Sequence, residues 1–384
     1  MTTSVKTTTF KKPSATGTVV LGILAVLTVL GLITGIYRLA VGLGATTDLS
    51  DQYAWGLWLG FDFALIAFGG AAFTLALVVH VLNLKKYEVV LRPAILTGFL
   101  SYVSVLVILL IDLGRPDRFW GFIVFPNIHS PLFEVSWCIL LYTIVLALEF
   151  APLLFERLNK PKIVSAIHAA VIPITIAGVA LSTLHQSTLG TIGLSLPGRV
   201  HPLWWSWLLP LLFFLSAIGM GLSAMILVLL IANKAFGREL VKLDVLAGLG
   251  KGSVWVWVVY AVLRVGDLLF TGDLGRMFTF DTFGILFWIE MLLMVIAPIV
   301  LYSMEGVRKS AAGLTVTALL VTVGLFFNRF AILFSGDPVP VGAMHATATY
   351  FPTFIEFAVQ IGVLAAAALA WYFAAQLLPV FSEE

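Results

Sequence analysis

The chain has 384 residues, of which 60% are hydrophobic and only 11% are charged. Soluble domains carry about 25% charged residues, so this composition excludes a soluble globular protein and indicates a membrane protein with many spans. The net charge of +2 says little alone, because the distribution of charge carries the information in such proteins, and we predict no nucleic-acid partner.

Apolar runs of about 20 residues mark helices that cross a hydrocarbon core of about 30 Å. Ten such runs predict an all-α, polytopic membrane protein. They cover residues 19–43, 56–84, 93–113, 132–155, 163–184, 203–232, 253–269, 282–304, 311–334 and 353–379. Pro173 and Pro298 are expected to kink their helices, because proline lacks a backbone donor. No run is short or interrupted enough to predict a re-entrant loop.

Lysine and arginine predict the orientation of these spans. Fifteen of the 22 lie on the side of the N-terminus and seven on the opposite side, so we expect both termini in the cytoplasm. The outer loops 44–55, 114–131, 185–202, 270–281 and 335–352 carry much of the Gly, Pro, Asp and His. A substrate or partner is therefore expected on the outer side.

Ionisable residues gather near the outer ends of four consecutive predicted helices, the second to the fifth. They are Asp62, Asp112, Glu134 and His185, with Gln186 beside the histidine. Such residues inside a membrane are costly and indicate function. A site that takes up and releases protons would use groups of this kind. The alternative is a hydrogen-bonded polar cluster that only holds the helices together.

The sixth to ninth helices repeat this pattern. Asp112 and Glu134 are 22 residues apart, and Asp267 and Glu290 are 23 apart. We therefore predict two four-helix bundles in parallel repeat, helices 2–5 and 6–9, with two flanking helices. The predicted divisions are a tail at 1–18, the first helix and outer loop at 19–54, the bundles at 55–202 and 203–352, and the last helix with the C-terminus at 353–384. The second-bundle cluster, which we expect to be structural or ancillary, is Arg264, Asp267, Glu290 and Arg329.

A sparser polar group lies near the inner ends of the first bundle: His80, Glu149, Glu156 and His168. Asp62 and His80 are 18 residues apart, five full turns, which predicts one helix face and a separation of about 27 Å. His80, Glu149 and His168 are candidates for a proton path to the cytoplasm. The alternative interpretations are side chains that reach the inner interface and, less favoured, a haem b between the two histidines. Cys138 is the only cysteine, which excludes an iron–sulfur cluster or covalently attached haem in this chain, and we predict no haem and no metal site.

Several motifs resemble the NrfD-like family, the membrane subunits of polysulfide reductase and related respiratory complexes, and within it the HybB type of periplasmic nickel–iron hydrogenase. The motifs are residues 112–120 (DLGRPDRFW), 148–158 (LEFAPLLFERL), 184–187 (LHQS) with Gly190, 200–204 (VHPLW) and 287–294 (FWIEMLLM). The similarity covers about residues 20 to 380.

This resemblance implies a cofactor-free subunit that reacts with menaquinone or ubiquinone near the outer face. It also implies an outer-side iron–sulfur partner of the four-cluster ferredoxin type, and through it a catalytic subunit. We place the quinone pocket at Asp62, Asp112, Glu134, His185 and Gln186, and supporting outer residues at Trp55, Arg115 and His201. A secondary transporter and a purely structural membrane anchor remain alternative hypotheses.

Overall fold

Long helices make up nearly all of the structure, a computed structural model that describes residues 14–195, 200–335 and 349–381. Their bounds are α1 Ala15–Val41, α2 Leu57–Val81, α3 Lys85–Asp112, α4 Pro131–Arg157, α5 Pro161–Ala169 with Val171–Leu194, α6 Leu209–Phe236, α7 Leu243–Thr271, α8 Thr282–Ser303, α9 Ala311–Phe334 and α10 Phe354–Leu377. Most of the predicted tail 1–18, Arg199, much of loop 335–352 and the last three residues lie outside the described residues.

The prediction of an all-α polytopic membrane protein is confirmed. Nine single helices of the described chain are long and apolar enough to cross a membrane, and the two parts of α5 make a tenth span if they count as one. We call the side predicted to face away from the cytoplasm the outer side.

The helices pack in two groups that contact each other. In the first group α2 packs on α3, α3 on α4 and α4 on α5; in the second, α6 packs on α7 and α9, and α8 lies between α7 and α9. The two groups meet where α6 contacts α2 and α5. The division of the chain into two domains that repeat each other stays a prediction.

The flanking helices α1 and α10 cross in direct backbone contact. A Cβ atom added to Gly31 would lie 2.5 Å from the Cα of Gly362, and one added to Gly362 would lie 2.4 Å from the Cα of Gly31. Small residues at such a crossing let two helices approach closely within a membrane. The pair therefore packs α1 against α10, which in turn lies on α3.

The kink predicted at Pro173 is confirmed, and it is sharp enough to divide the fifth span, predicted at 163–184, into two helices. Its two parts bend by 61° between Ala169 and Val171. Pro173 explains the position of the break, because it has no N–H to bond the carbonyl of Ala169 four residues earlier. The second part then continues to Leu194, ten residues beyond the predicted end.

Two other predicted boundaries also shift. The predicted inner loop at 233–252 is helical from Leu243, so α7 begins ten residues before the apolar run at 253. The sixth span begins at Leu209 rather than at residue 203. Before Pro298, α8 has a π-helical stretch, Met291–Ile296, which adds residues to the turn and accommodates the missing donor of the proline.

Candidate functional site

His185 and Gln186 lie well inside the membrane part of α5, not at its outer end as predicted. Nine residues separate His185 from Leu194, which places the imidazole about 13 Å below that end of the helix. The small and hydroxyl residues that follow His185 are helical because they pack tightly on the start of α6. A Cβ atom on Gly190 would lie 2.5 Å from the carbonyl oxygen of Leu209.

Two side-chain hydrogen bonds join α5 to its neighbours near this depth. The Gln186 amide donates from Nε2 to the backbone carbonyl of Ile66 on α2 at 2.8 Å. The Thr188 hydroxyl donates to Oε1 of Glu134 on α4 at 2.7 Å. Glu134 stands in the first turn of α4, which begins at Pro131 after the N-cap Ser130. These bonds tie α5 to the backbone of α2 and to the Glu134 side chain of α4.

His185 faces a row of buried hydroxyl groups. Its ring lies 5.6 Å from that of Tyr102 on α3, and Tyr102 stands edge-on to Tyr142 of α4 at 4.7 Å. Ser182, one turn before His185, lies close to both phenol groups. Both ring nitrogens of His185 and the oxygens of the other three side chains are buried and make no hydrogen bond with a described residue. Buried groups of this kind normally have a partner, so the two ring nitrogens of His185 indicate that water or a ligand binds beside them, while Ser182 is close enough to serve both phenol groups.

Asp62 is 1% exposed, and neither of its carboxylate oxygens has a hydrogen-bond partner in the described chain. Asp112, at the outer end of α3, is half-buried and lies within electrostatic range of Asp62, Arg38 and Glu356. The Arg38 guanidinium donates to the carbonyl of Leu113 at 2.6 Å, which places a cation beside this end of α3. The predicted site residues therefore share one bundle, but within the described chain Asp62 and His185 are not hydrogen-bonded to each other or to the other predicted acids.

Glu356, which no sequence pattern singled out, closes the outer end of the bundle. It is fully buried at the start of α10 and forms a capping box with Thr353. The Tyr350 hydroxyl donates to it at 2.5 Å, and the Trp58 indole donates to its backbone carbonyl at 3.0 Å. Burial raises the pKa of the Tyr350 phenol above its ordinary range, which keeps this donor protonated. The outer starts of α2 and α10 are thereby joined.

The three predicted supporting residues lie in different surroundings. Trp55 is partly buried against the core. Arg115 is exposed and forms an ion pair with Asp117 at 2.8 Å, which holds the pKa of that carboxyl below its ordinary value. The ring of His201 stacks on Phe283 at 4.4 Å. His201 therefore belongs to the outer end of the second bundle, and Arg115 lies on the surface.

The second-bundle cluster is more completely bonded than the first. Glu290 accepts hydrogen bonds from the Trp204 indole at 2.5 Å and from the Asn328 amide at 2.8 Å. Arg329 donates to the Asn328 side-chain oxygen at 2.5 Å and to the Ser216 hydroxyl at 2.8 Å. These contacts join α6, α8, α9 and the loop before α6.

The other predicted pair, Arg264 and Asp267, is also buried. Arg264 lies 3.7 Å from Asp267 and donates to the carbonyl of Leu203. All four predicted members of the second-bundle cluster are therefore enclosed, and each has at least one polar partner.

The inner polar residues differ in exposure, and the proton path through His80, Glu149 and His168 stays a prediction. His80 and His168 are both exposed, whereas Glu149 is half-buried. Asp62 and His80 do not share a helix face, because α2 breaks at Gly70 and has a π-helical turn at Leu77–Val81 that changes its periodicity. A haem b needs two imidazoles across a buried cleft, which these exposed histidines do not offer. The absence of haem stays a prediction.

Glu149 instead faces the interior of the first bundle. A Cβ atom on Gly178 of α5 would lie 3.5 Å from its Oε1 and 3.9 Å from the ring of Tyr142. Two turns further inward, Glu156 forms an ion pair with Arg92 at 3.1 Å. The buried row from His185 through Tyr102, Tyr142 and Ser182 thus leads to Glu149. The only sequence signal for this row was the position of its two tyrosines in the middle of apolar runs. Tyrosine in membrane proteins is usual at the interfaces instead.

These features define a polytopic helical membrane protein with buried polar clusters near the outer ends of its spans. The family model described as "Polysulphide reductase, NrfD" matches residues 45–340, and the chain belongs to this family.

Among the relatives, a protein named "Menaquinone reductase, integral membrane subunit" from Nitratidesulfovibrio vulgaris is 32% identical over 91% of this chain and 88% of its own length. One named "Probable Ni/Fe-hydrogenase 2 b-type cytochrome subunit" from Escherichia coli is 33% identical over 89% of this chain and 87% of its own length. A selenate reductase subunit from Mesobacillus selenatarsenatis is 25% identical over 94% of both chains. The predicted resemblance is confirmed.

Proposed function

We propose that this chain is the quinone-reactive membrane subunit of a respiratory oxidoreductase, and that the quinone headgroup binds beside His185 in the first bundle. The observation that carries the proposal is the pair of buried ring nitrogens of His185, which have no hydrogen-bond partner in the described chain and lie beside the hydroxyl groups of Tyr102, Tyr142 and Ser182. A relative named as a menaquinone reductase subunit, similar over most of the chain, supports the same assignment.

The side chains of the pocket match the needs of quinone chemistry. Reduction of a quinone to a quinol takes up two electrons and two protons, one at each carbonyl oxygen. The His185 imidazole can donate a hydrogen bond to a carbonyl oxygen and can release or accept a proton. Asp62 and Glu134 exchange protons with the second carbonyl or with the outer aqueous phase. Thr188 positions Glu134 through its hydrogen bond to that carboxylate. Gln186 holds α5 against α2 through its hydrogen bond to the carbonyl of Ile66.

The electrons come from, or go to, a partner on the outer side of a bacterial inner membrane. The proposed partner is an iron–sulfur subunit of the four-cluster ferredoxin type, which connects this chain to a catalytic subunit. A pocket in the outer half of the bilayer supports this arrangement, because electrons then cross only a short distance from the partner. The relatives named as subunits of hydrogenase and selenate reductase support a multi-subunit complex.

The row of hydroxyl groups also offers protons a route to the inner side. Tyr102, Tyr142 and Ser182 lie between His185 and Glu149, and hydroxyl groups can both donate and accept hydrogen bonds. Water between them would complete a chain, since buried polar groups of this kind commonly hold ordered water. We propose this route in place of the predicted path through His80 and His168.

Quinone turnover in the purified complex tests the proposal. His185→Ala, Asp62→Asn and Glu134→Gln are compared with His168→Ala, which removes an exposed histidine from the same span. We expect His185→Ala to lower turnover by about 10²–10⁴-fold, the usual effect of losing a positioned proton donor or acceptor. The partner subunits should still copurify. Wild-type turnover in all three variants would contradict the proposed pocket, and loss of the protein from the membrane would favour a purely structural polar cluster.

A further inference from the structure

The last helix, α10, carries a buried glutamine whose side-chain amide is unbonded. Gln360 is 0% exposed, and neither its Oε1 nor its Nε2 forms a hydrogen bond with a described residue. Asp62 on α2 is buried in the same way, with both carboxylate oxygens unbonded within the described chain. Buried polar groups normally have partners, so both of these side chains call for one.

Asp62 faces α3 near the outer end of that helix. A Cβ atom on Gly69 of α2 would lie 3.0 Å from the Tyr102 ring on α3. Asp62 is seven residues outward from Gly69, almost two full turns, so it lies on the same face of α2 about 10 Å closer to the outer side. Seven residues outward from Tyr102 is Leu109, which marks the level of Asp62 along α3.

Gln360 faces α3 at the same level. The Trp371 indole of α10 donates a hydrogen bond to the Thr97 hydroxyl of α3 at 3.0 Å. Gln360 is eleven residues outward from Trp371, about three full turns, so it points toward α3 as well. Eleven residues outward from Thr97 is Ile108, so Gln360 and Asp62 reach α3 at the same level from two different helices.

A hydrogen bond one turn nearer the outer side joins α2 directly to α10. The Trp58 indole donates to the backbone carbonyl of Glu356 at 3.0 Å. Asp62 follows Trp58 by four residues, Gln360 follows Glu356 by four, and both helices run inward from this bond. The two unbonded side chains therefore belong to one site between α2, α3 and α10.

The charges around Asp62 leave it without a counter-ion of its own. Asp112, at the outer end of α3, lies within electrostatic range of Arg38, Glu356 and Asp62. The Glu356 carboxylate already accepts hydrogen bonds from the Tyr350 hydroxyl and from two backbone N–H groups. Among the described residues, three carboxyl groups thus share one guanidinium. A buried carboxylate without a counter-ion is costly, so Asp62 needs a hydrogen-bond donor whenever it loses its proton.

We propose that Gln360 is the positioning residue for proton exchange by Asp62. Its amide can donate from Nε2 to an ionised carboxylate and accept at Oε1 from a protonated one, so one side chain serves both states of Asp62. The proton passes from the Asp62 O–H to the carboxylate of Asp112, which is half-buried and adjoins the outer aqueous phase, and returns the same way. This inference rests on the proposed function, since it adds a residue of the flanking helix α10 to the proposed proton exchange.

Infrared difference spectra of the whole complex, recorded between acidic and alkaline buffer, test this contact. The carboxylic-acid C=O band that disappears in Asp62→Asn belongs to Asp62. Gln360→Met keeps the length of the side chain without its amide and should shift that band to a higher frequency, because a carboxyl group that loses its hydrogen bond has a stiffer C=O bond. Gln376→Met makes the same change near the inner end of α10, where the amide bonds Tyr372, and should leave the band in place.

Quinone turnover supplies the second readout. Gln360→Met should lower turnover by about 10–100-fold, the effect of losing one hydrogen bond to a charged group, while Gln376→Met should match the wild type. Gln360→Asn keeps an amide with a shorter reach, so its band shift and its loss of turnover should both be smaller than those of Gln360→Met.

Two results would overturn the proposed role of Gln360. One is an Asp62 band at its wild-type position in both Gln360 variants. The other is an unchanged spectrum in Asp62→Asn, because Asp62 would then not exchange a proton. A shifted band together with wild-type turnover in Asp62→Asn and His185→Ala would confirm the contact between Gln360 and Asp62 and would contradict the proposed function instead.

Discussion

The indole N–H of Trp204, in the loop before α6, donates a hydrogen bond of 2.5 Å to the carboxylate of Glu290 inside α8. Both side chains are almost completely buried. The bond connects the loop before α6 to the interior of the second bundle. The Asn328 amide is the second donor to the same carboxylate, at 2.8 Å.

Removal of this donor should destabilise the protein. Trp204→Phe keeps an aromatic ring but leaves one carboxylate oxygen of Glu290 without its donor, so we expect a loss of about 1–3 kcal/mol. Thermal unfolding in detergent measures the change. Trp207→Phe, at an indole that is 70% exposed, is the control and should leave the transition unchanged. Equal transitions in both variants would show that the bond contributes nothing to stability.

The crossing of α1 and α10 should tolerate no side chain. Gly362→Val would place a Cβ atom 2.4 Å from the Cα of Gly31, which is too close, so one of the two helices must move. We expect a loss of about 1–3 kcal/mol, the usual cost of overpacking. Gly22→Val is the matched control on α1, since nothing lies within 4 Å of its added Cβ atom. Thermal unfolding measures the change. If the unfolding transitions of both variants match that of the wild type, the close crossing of α1 and α10 is refuted.

Hydropathy predicted the nine single spans of the described chain and the bent fifth span, because contact with lipid imposes long apolar runs on the sequence. It missed the first ten residues of α7, which carry Asp244 and Lys251 at the end of the helix that is predicted to face the cytoplasm. It also read the stretch after Gln186 as a loop, because its Ser, Thr and Gly residues are poor helix formers alone. Packing on α6 makes that stretch helical, and packing cannot be read from composition.

The candidate site was predictable in part, for a related reason. The search for ionisable residues within apolar runs identified Asp62, Glu134 and His185, all of which lie in the first bundle. Helical spacing shows which residues share a face, but not which face turns inward, and π-helical turns disturb the spacing. His80 was therefore misplaced, and Tyr102, an inconspicuous residue in sequence, was overlooked beside His185.

The proposed proton route predicts a membrane potential that depends on its hydroxyl groups. Vesicles that contain the whole complex should build a lower potential per electron in Tyr142→Phe and Glu149→Gln than in the wild type, because both changes interrupt the row. Turnover with an uncoupler should be less affected. His168→Ala changes an exposed residue and should behave as the wild type does. Equal potentials in all variants would confine proton exchange to the outer side.

The predicted orientation can be tested with reporter fusions. A reporter that works only outside the cytoplasm should be active when fused near Gly121 and inactive near Lys160 or Lys242, because lysine and arginine concentrate on the inner side. Pro197 and Gly342 are further outer positions, which lie outside the described residues. The reverse pattern of activity would place the pocket on the cytoplasmic side.

The position of the bound quinone tests the central proposal most directly. Electron cryo-microscopy of the whole complex with a tightly binding quinone analogue would locate the headgroup. We expect a carbonyl oxygen within about 3 Å of a ring nitrogen of His185, the distance of a hydrogen bond, with Tyr102 beside it. A headgroup bound away from the first bundle, with the His185 nitrogens bonded only to water or protein, would contradict the proposed function.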